Sequence, residues 1–318
     1  MSRLGIAAPA VLCGAVGAGF YLTMLTGSPG SLILISMAQL PLFAAGLWLG
    51  AGAAALAALA ATGILLAATG AVSAAFFAAV MAMPVVVLVR QALLARTQSD
   101  GAVEWYPPGL LAGWLTGLAL FGTVLGVVLA GGTHGIEAIL RRALGPALDR
   151  LMVAPGLDGM PDRNDIVRSL ALVLPGMLAV SWMAMVATNG ILAQGVLARF
   201  GANRRPSPDI AALGLPPWMP LLFAAGAAAA SFDGPARPFG VSVMILLFVP
   251  FCLAGLAVLH TAARRLSRPL PVLVIFYVLA ALLGWPLLLT AVLGFVDGAF
   301  GLRRRFKGSR SCGGKTDG

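Results

Sequence analysis

Four polar side chains stand out in a chain that offers few others for chemistry. Asn189 and Gln194 lie in VATNGILAQG, His260 near the end of GLAVLHTAARR, and Asp297 in LGFVDGAFGLRRRF. Each sits in or at the edge of an apolar run, as does Gln39. An ionisable group at mid-membrane costs about 2.5 to 3.5 kcal/mol on insertion scales, so such groups turn toward a protein interior and serve a function there. Amides and an imidazole both donate and accept hydrogen bonds, and a carboxylate adds a charge. Asn189, Gln194, His260 and Asp297 are therefore the candidate ligand-binding residues. For the two amides, hydrogen bonding between helices is an equally available role. Asp297 stands six residues before Arg303, only about 9 Å along a helix, which places it near the headgroups. There it could pair with Arg304, seven residues on and on the same helix face, or hold a ligand or ion; Arg303, Arg304 and Arg305 are read as topology anchors.

Other chemistries lack their residues. No nucleophile–base pair is recognisable, so no catalytic residue is assigned and the chain is not expected to be an enzyme. Two histidines, His134 and His260, are too few for a His-rich metal site. No Walker loop occurs, so the chain is not itself an ATPase motor. GAVGAG at residues 14–19 looks like a phosphate loop but lies inside an apolar run with no preceding strand. No metal or cofactor is expected. Asp162 and Asp165 in PDRNDIVRSLALVL read as the capped start of a helix rather than as catalytic acids.

The elements that must position these residues are membrane helices. Of 318 residues, 60% are hydrophobic and 10% charged, with a mean hydropathy of +0.97. A soluble domain carries about 25% charged residues, so lipid must cover this surface. Spanning the hydrocarbon layer takes about 20 apolar residues per helix. Apolar runs occur at approximately 4–26, 31–49, 51–69, 71–95, 108–131, 167–197, 216–232, 240–262 and 270–302. They are apolar on every face, unlike the alternating strands of a barrel. The expected fold is all-α: a polytopic helical membrane protein of about 8–10 transmembrane segments, forming one domain over 1–306. A disordered basic tail follows at 307–318. Residues 132–166 form an extramembrane connection with a short amphipathic helix, interrupted at Gly145-Pro146.

The net charge of +10 belongs to the ends of apolar runs, not to a nucleic-acid surface. With Arg3 inside, the short connections at Arg90 and Arg96, at Arg199, Arg204 and Arg205, and at Arg264, Arg265 and Arg268 all fall on the cytoplasmic side. The last run, about 50 Å if helical throughout, breaks at Gly284-Trp285-Pro286 and returns the C-terminus inside. The expected location is the bacterial inner membrane, multi-pass, with both termini cytoplasmic. Ala10, Gly14 and Ala18 form a ridge of small residues on the first helix, suited to close helix packing or to docking a membrane protein partner.

Three stretches carry a family resemblance: LARFGANRRPSPDIAALGLPPWMP, GLAVLHTAARR and LGFVDGAFGLRRRF. Together they resemble the YybS-like family of predicted bacterial membrane proteins, itself distantly similar to the substrate-binding subunits of energy-coupling-factor transporters. The resemblance implies a six-helix substrate-binding core with a docking ridge on the first helix, which Ala10, Gly14 and Ala18 would supply. Nine or ten segments exceed that count. The functional expectation is a solute-binding or transport-associated membrane subunit without its own ATPase, its solute unspecified. The alternative is a non-transporting scaffold or assembly factor for envelope machinery.

Overall fold

A computed structural model of the chain describes residues 3–152, 162–209 and 213–301. The order is α1 (Arg3–Leu22), a 3-10 turn (Thr23–Thr26), α2 (Pro29–Ser36), α3 (Leu40–Leu49), α4 (Ala51–Thr69) and α5 (Ala71–Phe76). A π-helical segment (Phe77–Ala82) leads into α6 (Met83–Ala92), and the short strands β1 (Ala95–Thr97) and β2 (Val103–Trp105) form a hairpin. Then come α7 (Pro108–Leu129), α8 (Gly132–Met152), α9 (Arg163–Arg199), α10 (Trp218–Ser231), α11 (Arg237–Leu246), α12 (Phe248–Ala263), α13 (Pro269–Leu283) and α14 (Pro286–Phe300).

Seven of these helices, or joined helix pairs, are long and apolar enough to cross a membrane: Gly5–Thr26, Pro29–Leu49, Ala51–Thr69, Ala71–Ala92, Pro108–Leu129, Arg163–Arg199 and Arg237–Ala263. The bent pair α13–α14 brings the count to eight if it is one span. That pair turns by 116° at Gly284, whose φ of +69° suits glycine and few other residues. The run at 270–302 breaks at Gly284-Trp285, where the sequence reading put the break, while the run at 216–232 is too short to become a crossing. The run at 216–232 yields only the 14-residue α10, and the run at 270–302 is two 15-residue helices. At 1.5 Å per residue, helices of that length reach about 22 Å, short of the hydrocarbon thickness.

The helices group into two compact units. The first holds residues 1–115 and 183–213, the second 116–182 and 214–318, with boundaries inside α7 and α9. In the first unit, α1 lies along α4 through the small-residue ridge. Ala10 and Ala18 are fully buried, a Cβ on Gly14 would run into the Ala57 carbonyl, and Ala10 packs with Leu49 and Ala53. The ridge is thus occupied by α4. The hairpin projects beyond these helices. Arg96 pairs with Glu104 across the strands at 2.9 Å, and Gln98 donates to the same carboxylate at 3.1 Å.

In the second unit, α8 runs on through Pro146 as one helix of 21 residues, where the sequence suggested an interruption. Burial of its apolar stripe outweighs the hydrogen bond that proline removes: Ile136, Leu140 and Leu148 pack with Val127 of α7 and with Val167 and Ala171 of α9. Asp162 caps α9, its Oδ2 accepting from the Asn164 N–H. The closest crossing joins α12 and α14. A Cβ on Gly255 would collide with the Thr290 carbonyl, and one on Gly294 with the Phe251 carbonyl. Phe223, Phe251 and Phe295 close this crossing with ring centroids 5.1–5.8 Å apart.

Two outcomes follow from this geometry. Gly294→Ala forces α12 and α14 apart, at about 1–3 kcal/mol for overpacking, and lowers the thermal midpoint in detergent. Gly63→Ala, where a Cβ meets nothing within 4 Å, leaves the midpoint unchanged or raises it. In the hairpin, the hydrogen bond from Arg96, then that from Gln98, holds the Glu104 carboxyl below its ordinary value. A depressed carboxyl favours the folded hairpin above its unfolded pKa and loses that effect as pH falls through the folded value. NMR titration of Glu104 in Arg96→Ala is expected to show an upward move of its midpoint toward the ordinary carboxylate range.

Candidate polar binding site in the first unit

The polar core of the first unit is built by two prolines. Pro41 has no N–H to give to the Met37 carbonyl four residues back. The Leu40 N–H takes that carbonyl instead, at 3.0 Å, and the helix opens between Ser36 and Leu40. The Ser36 carbonyl accepts from outside the helix: Asn189 Nδ2 of α9 donates to it at 2.7 Å. The same amide nitrogen also donates to Met185 O in its own helix, at 2.8 Å.

Pro84 has a matching effect on the next distorted span. The Met83 N–H ahead of it reaches five residues back to Ala78 O, the π-helical spacing. Wide turns of this kind are rare and concentrate at functional sites. Gln39, which lies in the opening of the first broken span, donates from Nε2 to Met81 O in the π segment at 2.9 Å. Tyr21 of α1 holds the segment from the other side through an edge-on contact with Phe77, centroids 5.2 Å apart. α1 closes on the opening at Gly17, where a Cβ would be only 2.8 Å from Ala38 O.

Both amides use their nitrogen and leave their oxygen over. Gln39 is fully buried and Asn189 is 3% exposed. Neither Gln39 Oε1 nor Asn189 Oδ1 has a hydrogen-bond partner among the described residues. Buried polar atoms in folded proteins are almost always satisfied, and an orphan acceptor costs about 1–3 kcal/mol. Two such acceptors border one helix opening, where the amide nitrogens donate to the backbone carbonyls of Met81, Ser36 and Met185. The arrangement can receive a hydrogen-bond donor or a positive charge.

Gln194 has a different commitment. Its Nε2 donates to the Arg205 carbonyl at 2.8 Å, which Asn203 Nδ2 also reaches at 2.7 Å. The stretch 203–205 is a strap across two helix ends. Arg204 donates from its backbone N–H to Leu47 O and from Nε to Trp48 O at the end of α3. Arg205, 5% exposed, donates from a terminal guanidinium nitrogen to Ala92 O at the end of α6. Cations suit helix C-termini, where carbonyls lack partners and the dipole is negative. Burial pulls the Arg205 guanidinium below its ordinary value.

His260 and Asp297 belong to the second unit, so the four candidate residues do not form one cluster. His260 Nδ1 lies 2.9 Å from Leu256 O, and its Nε2 lies 3.5 Å from the Tyr277 hydroxyl. Asp297 is buried, one turn beyond Gly294 on α14. The antiparallel crossing sets its depth. Thr290 meets Gly255 and Gly294 meets Phe251, which puts Asp297 near Leu247, at the middle of the 27-residue helix Arg237–Ala263. α14 ends there, and α10 begins there, with Gly298 against Pro220. The start of α10 brings the positive end of a helix dipole beside the last turn of α14, which favours an anionic side chain. Arg303, Arg304 and Arg305 lie outside the described residues, as does the tail 307–318.

Gln39, Ser36, Met81 and Arg205 complete the polar core without being singled out as candidates by the sequence reading. The signal available was the pair of prolines inside apolar spans, Pro41 and Pro84, each a place where a carbonyl must find another donor. An open cleft of about 280 Å³ beside the hairpin is lined by Leu94, Arg96, Glu104, Trp105 and Tyr106, among others, and includes none of the candidate residues.

Among known proteins, the model of the family described as predicted membrane protein DUF2232 matches residues 18–298. No curated protein and no solved structure matches the chain. With several apolar helices suited to the lipid bilayer and a match across most of its length, the chain belongs to the DUF2232 family of predicted membrane proteins.

Proposed function

We propose that this chain is a solute-binding, transport-associated subunit of the bacterial inner membrane, with its site at the helix opening between Ser36 and Leu40. The observation that carries this reading is the pair of buried, unpartnered amide oxygens on Gln39 and Asn189. Amides that served only to lock helices would be expected to use both ends, because an unsatisfied acceptor cancels much of what the donor contributes. Broken spans that present polar groups inside the membrane are also the usual way helical transporters build binding sites. No ATPase motif is present in the sequence, so an energising partner would be a separate protein. The resemblance read from the sequence to energy-coupling-factor substrate-binding subunits would suit this role. In the same reading both termini are cytoplasmic, the arginine-rich connections lying on that side.

A scaffold role has one observation in its favour. The second unit is closed by a glycine crossing in which backbone meets backbone, at Gly255 and Gly294, and such contact is a means of fixing helices.

The decisive experiment is purification from native membranes into lipid nanodiscs, with mass spectrometry of co-purifying small molecules and proteins. A bound small molecule that Asn189→Leu reduces at least tenfold, with the variant folded, is the expected result. Recovery of neither a small molecule nor ATPase subunits overturns the transport reading. A small molecule retained by Asn189→Leu removes the site from the first unit.

A further inference from the structure

The occupant of this site can be narrowed from the donor set, on the reading that the helix opening is a binding site. The two groups without partners, Gln39 Oε1 and Asn189 Oδ1, are both acceptors. The amide nitrogens beside them are already turned to Met81 O, Ser36 O and Met185 O. An anion would meet two sets of oxygen lone pairs against a single remaining N–H, the second hydrogen of Gln39 Nε2, a poor match for a negative charge. The spans that surround the opening, residues 5–26, 29–49, 51–69 and 71–89 together with 183–198 of α9, contain no Asp, Glu, Lys, Arg or His. A divalent cation buried there would find no countercharge, and its desolvation far exceeds that of a monovalent ion. Neutral carbonyl oxygens replacing a hydration shell are the chemistry that holds a monovalent alkali cation in a membrane. Opened helices supply such oxygens at a span's interior.

We infer that Gln39 Oε1 and Asn189 Oδ1 are ligands of a monovalent alkali cation held at the opening between α2 and α3. Proline position explains why the ligands are these two. Pro41 frees the Ser36 carbonyl and Pro84 distorts the turn carrying Met81, so each amide is oriented by a backbone acceptor, with its oxygen left for the ion.

The alternative occupant of two buried acceptors is ordered water, and the test separates them. Thermal midpoints of the full chain in nanodiscs are compared in sodium, potassium and choline chloride at equal ionic strength. An ion at about ten times its Kd is expected to raise the midpoint by roughly 3 °C over choline. Hydrogen exchange should slow in the same salts at residues 36–43 and 77–85, but not in the hairpin. Gln39→Met keeps the side-chain length, removes the oxygen and is expected to abolish the cation effect. If that variant does not fold, the exchange map of the unmodified protein still decides.

Equal midpoints and equal exchange in all three salts mean water fills the site and overturn the inference. A small molecule that still co-purifies under those conditions, and is lost in Asn189→Leu, leaves the transport reading intact while the cation falls. Cation dependence without any co-purifying organic molecule supports the inference and makes the ion itself the solute.

Discussion

Inside a hydrocarbon layer a backbone carbonyl without an internal donor has no water to turn to, and each such group costs several kcal/mol. Prolines inside spans create that deficit by omission, since each removes one N–H from the ladder. In the first unit the deficit at Ser36 is met by Asn189, across 153 positions of sequence. The carbonyl of Met81 in the π segment is met by Gln39, across 42. These bonds tie α9 to the broken span Pro29–Leu49, and that span to Ala71–Ala92. The first unit is therefore held together where its helices are least regular. A single interhelical hydrogen bond in a membrane averages only about 0.6 kcal/mol. The larger quantity is the penalty avoided at Ser36, whose carbonyl has lost the Leu40 N–H, so removing Asn189 leaves a stranded carbonyl rather than a lost contact alone.

The second unit follows another logic. Its closeness comes from glycine rather than from polar groups: at Gly255 and Gly294 the helices α12 and α14 touch through backbone. The phenylalanines Phe223, Phe251 and Phe295 fill the space just beyond. Neither α10 nor α14 is long enough to cross the membrane, and the start of one meets the end of the other beside the middle of the Arg237–Ala263 helix. That meeting gives Asp297 its environment.

The sequence made the class of fold plain because 60% hydrophobic and 10% charged residues leave no water-soluble arrangement. It also showed the breaks at Gly50, Gly70 and Gly284, where glycine ends a run, and Asn189 as a polar residue needing a partner. The neighbours of a given residue were harder to read. The surroundings of Asp297 come from the residues of α10 and α12 that α14 meets, long-range contacts that local spacing does not encode. The continuity of α8 through Pro146 is a similar case, since apolar burial against α7 and α9 decides it. Gln39 was visible as a polar residue in an apolar run, yet its partner is the Met81 carbonyl, 42 residues later, and no periodicity connects the two.

The arginines of the 203–205 strap show how one sequence feature can serve two constraints. As charge, Arg204 and Arg205 contribute to the cluster that sets orientation under the positive-inside rule. As hydrogen-bond donors, they close the carbonyl ends of α3 and α6, at Trp48 O and Ala92 O. Lysine would supply the charge but not the planar fork, which lets a guanidinium hold a carbonyl while its stem packs against apolar neighbours. Arg205 is nearly as buried as the amides of the polar core, and Gln194 of α9 fixes its backbone. α9 therefore reaches the broken span through Asn189 and the strap through Gln194, five residues apart on one helix. A shift of α9 along its axis would disturb the helix opening and the strap together, so the opening is mechanically connected to the arginine-rich end of the unit.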